Sequence, residues 1–314
     1  MKMKQLKIYV LTLMVAVLAA SCGTTRTVPV TGRKQNIMVD NSQILTLSYQ
    51  EYSNYMKTAK KSTDAEKTAM VTRVGQRLAS AVETYLKQNG YANEIKDYKW
   101  EFNLTQDQQA NAFCMPGGKI VVYEGIFPYT QTEAGLAIVL GHEIAHAVAM
   151  HSAEQYSTQL RQQYGAQILG GVLSAAGAGS ATTAIAGNVY GLGAKATSLK
   201  YSRDNESEAD HMGLIFAAMA GYDPNEAVTF WTRMASGNNG NTSTFWSTHP
   251  SDQQRIADIK RALPQALRYY KPVPQTIVIK STENTTQTKS TSTKKSTSTK
   301  KSSSTKKKST KKKK

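Results

Sequence analysis

Two histidines four residues apart, His142 and His146, with Glu143 between them, are the side chains of this sequence best placed to do chemistry. On a helix, residues at that spacing share a face, with Cβ atoms about 5–6 Å apart. Two imidazoles can then hold one tetrahedral zinc at about 2.0–2.1 Å from each nitrogen. Glu143 sits beside that face, where a carboxylate can act as general base toward water. Some 60 residues further on, Glu206-Ser207-Glu208-Ala209-Asp210 offers acidic donors from a second segment. Glu206 and Asp210 lie four apart and face the same way, while Glu208 points roughly opposite. One carboxylate can ligate a metal while another holds a ligand histidine by its second ring nitrogen. Spacing alone leaves open whether Glu206 or Glu208 is the ligand. Asp210 has a plainer alternative use, pairing on the helix surface with a cation such as Arg203.

Other elements must position these groups. Leu136 to Leu140 leads into the motif, and Ala145, Ala147, Val148 and Ala149 surround it, so a helix from Thr132 to about His151 is apolar on nearly every face. Such a helix is buried, and its histidines need polar partners that a metal would supply. Helical periodicity also covers Asn41 to Met56 and Asp64 to Gln88, the second opened by Asp64 and closed by Asn89-Gly90. Trp100 to Leu104 and Lys119 to Tyr123 alternate as strands, the latter entered through Pro116-Gly117-Gly118. A small antiparallel sheet is therefore expected before the motif helix. Residues 165–194 are rich in Gly, Ala and Ser and interrupted by Gln167 and Asn188, which predicts packed or mobile helices over the site rather than a membrane hairpin. The Glu206 helix runs to about Met219, Gly221 and Asp223-Pro224 break it, and further helices cover 225–235 and 251–262. The expected fold class is α+β, mainly helical, with one catalytic domain over 37–271.

The two ends of the chain have a different character. Lys2, Lys4 and Lys7 precede an apolar run from Ile8 to Ala20 that ends at Ala19-Ala20-Ser21-Cys22. Thirteen residues are short of the roughly 20 that span a bilayer, and the pattern is that of a signal peptide over 1–21. The terminal cysteine resembles a bacterial lipobox, although Ala19 and Ser21 depart from its commonest form. Export, cleavage before Cys22 and diacylglycerol attachment to its thiol are expected, with 22–36 as lipidated N-terminus and linker. Gly23, Thr24 and Thr25 include no aspartate that would argue for inner-membrane retention, so the outer membrane, facing the periplasm, is the expected address. With Cys22 acylated, Cys114 has no disulfide partner and reads as a small buried hydrophobe.

The formal charge of +17 is uneven. Twelve lysines against Glu283 give residues 281–314 a charge of +11, and three lysines near the start add +3, which leaves +3 for everything else. A nucleic-acid-binding domain carries its positive charge on the fold, so no specific nucleic acid is expected. The Ser/Thr/Lys tail, with its linker covering 272–314, has nothing to fold around. It reads as a disordered tether to anionic envelope surfaces or polymers, in competition with a simple solubilising tail.

Taken together, Asn111-Ala112-Phe113, Pro116-Gly117-Gly118, His142-Glu143-x-x-His146, Glu206-x-Glu208-Ala209-Asp210 and His249-Pro250 with Arg255 resemble peptidase family M48. Val28-Pro29-Val30-Thr31-Gly32-Arg33 is similar to its bacterial lipoprotein branch. The resemblance covers about 28–270 and implies a gluzincin-type metallopeptidase domain with one zinc per chain. It implies His142, His146 and Glu206 as ligands, Glu143 as catalytic base, and Asp210 as the group orienting a ligand histidine. His249 would stabilise the tetrahedral intermediate or act as a fourth, inhibitory ligand; as a bare sequence feature it could simply cap a loop beside Pro250. Asn111, Ala112 and Phe113 would line a cleft in which an extended peptide adds as a strand. Cys114 stands where alanine is common in the family, which touches nothing catalytic. The function implied is endopeptidase action on unfolded or misassembled envelope proteins, with a latent protease serving as chaperone or assembly factor as the alternative.

Overall fold

The computed structural model describes residues 23–175, 201–236, 249 and 253–272. The signal segment, Cys22, most of the Gly/Ala-rich stretch and the basic tail lie outside them.

The first element departs from expectation. In place of a linker, strands β1 (Thr24–Thr27) and β2 (Lys34–Ile37) pair antiparallel, Thr24 opposite Ile37 and Thr27 opposite Lys34. Val28 in the intervening turn is fully buried and belongs to the main core. Burying a valine is worth about 1.5–3 kcal/mol, enough to dock a segment whose composition alone looks unstructured.

Helix α1 (Asn41–Thr58) is capped by the Asp40 side chain, and α2 (Ala65–Gln88) by Asp64, which accepts from the Lys67 amide at 2.9 Å. On α2, Val71, Val74, Leu78 and Val82 recur every three or four residues and are all buried. This stripe packs against the motif helix and the central sheet. The sheet holds β3 (Glu101–Thr105), β4 (Ala112–Met115) and β5 (Lys119–Tyr123) in the order β3-β5-β4. The β4–β5 hairpin is antiparallel as expected, but β3 runs parallel to β5, so the sheet is mixed. The residues between β3 and β4 carry the chain across to the far edge, which leaves β5 in the middle. Segment 60–62 covers part of the outer edge of β3, whereas β4 pairs only with β5 among the described residues.

After the short α3 (Phe127–Thr130), Thr132 caps α4 (Glu133–Val148), accepting from the Gly135 amide at 2.9 Å. Every residue of α4 is buried, as its all-round apolar sequence requires. The helix stops three residues before the predicted His151. Met150 adopts a left-handed φ of 54°, and α5 (His151–Ala175) departs at 46° to α4. Helix α6 (Arg203–Met219), capped by Ser202, is the principal partner of α4. Gly141 and Gly213 meet where these helices touch: a Cβ on Gly213 would stand 2.8 Å from the His142 amide nitrogen. Helices α7 (Glu226–Ser236) and α8 (Gln253–Ala266) close the far side with Phe230, Trp231, Met234 and Ile259. No single helix among the described residues is long and apolar enough to cross a membrane.

Candidate metal centre

The close approach of α4 and α6 brings Glu206 to the motif histidines. Its carboxylate oxygens lie 3.4 Å from His142 Nε2 and 3.4 Å from His146 Nε2. The two Nε2 atoms are 3.1 Å apart. His249 arrives from a separate segment, its Nδ1 3.0 Å from Glu206 and 3.2 Å from His142 Nε2. All four residues are buried, and one donor atom from each lies within 4.8 Å of the others. Donors around a tetrahedral zinc at about 2.0–2.1 Å sit about 3.3–3.4 Å from one another. The observed spacings of 3.0–3.4 Å match that, and buried imidazole nitrogens converging on a carboxylate are the donor set of a cation. These residues fit zinc.

Glu143 stands next to the cluster with Oε1 3.5 Å from His249 Nε2. That oxygen is buried with no hydrogen-bond partner among the described residues, an arrangement that costs free energy unless a substrate or water uses it. Burial pushes the Glu143 carboxyl above its ordinary range, which favours proton uptake. Glu206 behaves oppositely: burial pushes it up, but His249, His142 and His146 together hold it far below the carboxylate range.

Asp210 accepts from His142 Nδ1 at 2.9 Å, leaving Nε2 free to face the cluster. Its cation is Arg255 rather than Arg203, through Nε at 2.7 Å and Nη2 at 2.8 Å. The Arg255 guanidinium also reaches Glu206 at 3.2 Å and lies 3.4 Å above the Trp231 ring. Burial alone would lower the His142 pKa, but the bonds to Asp210 and Glu206 outweigh it and raise it to about 9 in the metal-free protein. Burial drives His146 well below its ordinary value. Glu208 faces away from the cluster, as helical spacing predicts, and takes His151 Nε2 at 3.0 Å. The geometry therefore separates the two carboxylates that spacing left open.

Asn111 and Ala112 are buried at the start of β4, the edge strand of the sheet. Phe113 differs from a simple cleft-lining residue. Its ring packs edge-on against Tyr55 and Tyr123 on the α1 side of the sheet, so the main chain of β4 is what an extended peptide could meet. Cys114 is buried, with its thiol pushed up by burial. A cavity of about 350 Å3, lined by Ile37, Ile44, Leu45, Pro116 and Met150, reaches His146 from the hairpin side.

Sequence reasoning missed three contributors. Tyr201 stacks on His146 with centroids 4.1 Å apart, Trp231 supports Arg255, and His151 contacts His146. Only His151 carried a signal, being a histidine five residues beyond a ligand.

Comparison with known proteins decides the family. Peptidase family M48 matches residues 66–263, more than half of the chain. The chain belongs to this family. It is 39% identical over 187 residues to the mitochondrial metalloendopeptidase OMA1 of Schizosaccharomyces pombe, covering 59% of this chain and 53% of that one. Against the Saccharomyces cerevisiae OMA1 it is 30% identical over 253 residues, 77% of this chain and 70% of the relative. It is 29% identical over 209 residues to the β-barrel assembly-enhancing protease of Escherichia coli, 63% of this chain and 39% of that one. The chain thus spans about half the length of the first of these and little more than a third of the last. By family its class is that of a zinc metallopeptidase, and the α+β, mainly helical fold agrees.

Proposed function

We propose that this protein is a zinc endopeptidase anchored in a bacterial cell envelope through lipid on Cys22, facing the periplasm, that cleaves misfolded or misassembled envelope proteins. The observation that carries it is the buried convergence of His142, His146, Glu206 and His249 beside Glu143 Oε1, which has no hydrogen-bond partner among the described residues. The signal segment ending at Cys22 supports the address, and similarity to a β-barrel assembly-enhancing protease supports the substrate class. The mitochondrial relatives share the catalytic class and leave the compartment to the N-terminal sequence.

His142, His146 and Glu206 would hold the zinc, with Asp210 fixing the ring of His142. When bound, zinc supplies a Lewis acid that acidifies water and polarises a peptide carbonyl. Glu143 takes the proton from the attacking water and returns it to the leaving amine, a shuttle that suits a buried carboxyl of raised pKa. The outer edge of β4 receives the substrate as an added strand, which presents main chain rather than side chain and tolerates many sequences. His249 Nε2, near Glu143, is placed to stabilise negative charge on the carbonyl oxygen.

Cleavage of casein by the full chain, wild type beside Glu143→Gln, tests this. Zinc-dependent cleavage that stops in the variant while zinc stays bound is the expected result; retained turnover in Glu143→Gln would remove it as base. A second reading has its own observation: His249 Nδ1 sits among the ligand atoms, 3.0 Å from Glu206, as a fourth ligand of a latent protease would. His249→Ala raises activity if that contact restrains the enzyme and lowers it if His249 assists the reaction.

A further inference from the structure

We infer that the N-terminal hairpin is a working part of the metal centre: Thr31 and Arg33 hold Glu208, Glu208 holds His151, and His151 orients the ligand His146. The inference rests on the zinc-site reading above and assigns positioning roles to residues that touch neither metal nor substrate.

The chain of contacts is continuous. His146 Nδ1 and His151 Nδ1 are 2.8 Å apart, and His151 Nε2 is 3.0 Å from Glu208 Oε2. Glu208 then accepts from Thr31 Oγ1 at 2.5 Å and from Arg33 Nε at 2.8 Å. The far end of Arg33 forms a paired contact with Glu154 on α5, at 2.6 and 2.8 Å. An ionised carboxylate can only accept, so His151 donates to it from Nε2. A neutral His151 then has only a lone pair at Nδ1, and His146 donates to it from its own Nδ1. That leaves the Nε2 lone pair of His146 facing His142, Glu206 and His249, as metal ligation requires. Reversed, the same contacts would place the hydrogen on the wrong nitrogen of His146. Direction is therefore set from the carboxylate inward.

A second set of hairpin contacts fixes the same place by another route. Helix α4 ends two residues after His146, and its last carbonyls need partners. Arg26 on β1 donates to the Val148 carbonyl at 2.9 Å, and Gln35 on β2 donates to the Ala149 carbonyl at 2.9 Å. A guanidinium there also suits the negative end of the helix dipole. Directly after these carbonyls Met150 takes its left-handed conformation, which turns α5 so that His151 lies under His146. Both strands and the connecting turn of the hairpin thus grip the bend that carries His151. A segment that only tethered the fold to its anchor would need none of this.

The test is zinc retention in the full chain, followed with a chromogenic chelator on protein loaded with one zinc. His151→Phe keeps the ring volume and removes both nitrogens; zinc release should accelerate about 10–100-fold. His151→Gln retains an acceptor and a donor on one side chain and should recover most of the loss. Arg33→Gln, remote from the metal and partly exposed, should accelerate release by a smaller factor, about 3–10-fold. Melting of the chelator-treated proteins gives the structural baseline that a merely packing role would move. Unchanged zinc release in folded His151→Phe and Arg33→Gln would overturn the inference. A wild-type chain that binds no zinc would overturn the metal centre and this inference with it, an outcome visible before any variant is compared.

Discussion

His142 and His146 stand four residues apart on one helix and face one cluster, yet their outer nitrogens are anchored in unlike ways. His142 meets Asp210 directly, and Asp210 is clamped by Arg255 over Trp231, all deep in the C-terminal half. His146 meets another histidine, and only through it a carboxylate, Glu208, whose remaining partners come from the N-terminal turn. One helix, α6, supplies both anchors and Glu206 as well. Residues 206 and 210 share its cluster-facing side, while 208 points away, so its reach to a ligand needs His151 as a spacer. The lesson is that three carboxylates in five residues divide three tasks by helix geometry alone. One arm is sealed in the core; the other ends at an arginine whose side chain is 35% exposed.

That difference predicts unequal costs. Arg255→Leu takes the guanidinium from buried Asp210 and Glu206, leaving them only their histidine partners, and should cost about 3–5 kcal/mol in urea denaturation of the metal-free protein. Arg33→Leu, partly solvated, should cost under about 1 kcal/mol. Equal losses would erase the distinction between the arms. Gly213→Ala strikes both together, because its Cβ would press on the His142 backbone at 2.8 Å and push α6 from α4. A loss of about 1–3 kcal/mol with weaker zinc binding is expected, measured by denaturation and chelator competition.

Acid and base should separate the arms most finely. In the metal-free protein His142 is raised from 6.5 to about 9, so its contribution is fully present below 6.5 and is lost as pH rises through about 9. Glu208 works in the other sense. Burial pushes it up, but His151, Arg33 and Thr31 outweigh that and lower it from 4.5 to about 2, so its contribution is present above 4.5 and is lost as pH falls toward 2. Denaturation across pH in the presence of chelator should lose its alkaline limb in Asp210→Asn and have its acid limb blunted in His151→Phe. A variant that changed the wrong limb would break the assignment of the arms.

The donors were legible because chemistry fixes their spacing: His142, Glu143 and His146 within one helical turn, and Glu206 and Asp210 on one helical face. The cap at Asp64, the start of the motif helix near Thr132 and the buried stripe of α2 were legible for the same local reason. Glu208 pointed away as predicted, but what it held did not show, since Thr31 and His151 are distant from it in sequence. The parallel placing of β3 beside β5 is likewise a long-range fact that alternation within a strand does not encode. The hairpin reads as a linker in sequence because strands of four residues carry little pattern and its turn is held by the long-range contacts of Val28, Thr31 and Arg33. The bend at Met150 sits directly after carbonyls held by Arg26 and Gln35, both distant in sequence, and nothing in Ala149-Met150 announces it.

The central claim is the division of α6, with Glu206 on the metal and Glu208 on the positioning arm. Zinc content of purified, folded Glu206→Gln and Glu208→Gln tests it most directly. Glu206→Gln should emerge without stoichiometric zinc, while Glu208→Gln should keep one equivalent and release it faster than wild type. Full zinc in Glu206→Gln together with none in Glu208→Gln would contradict the account.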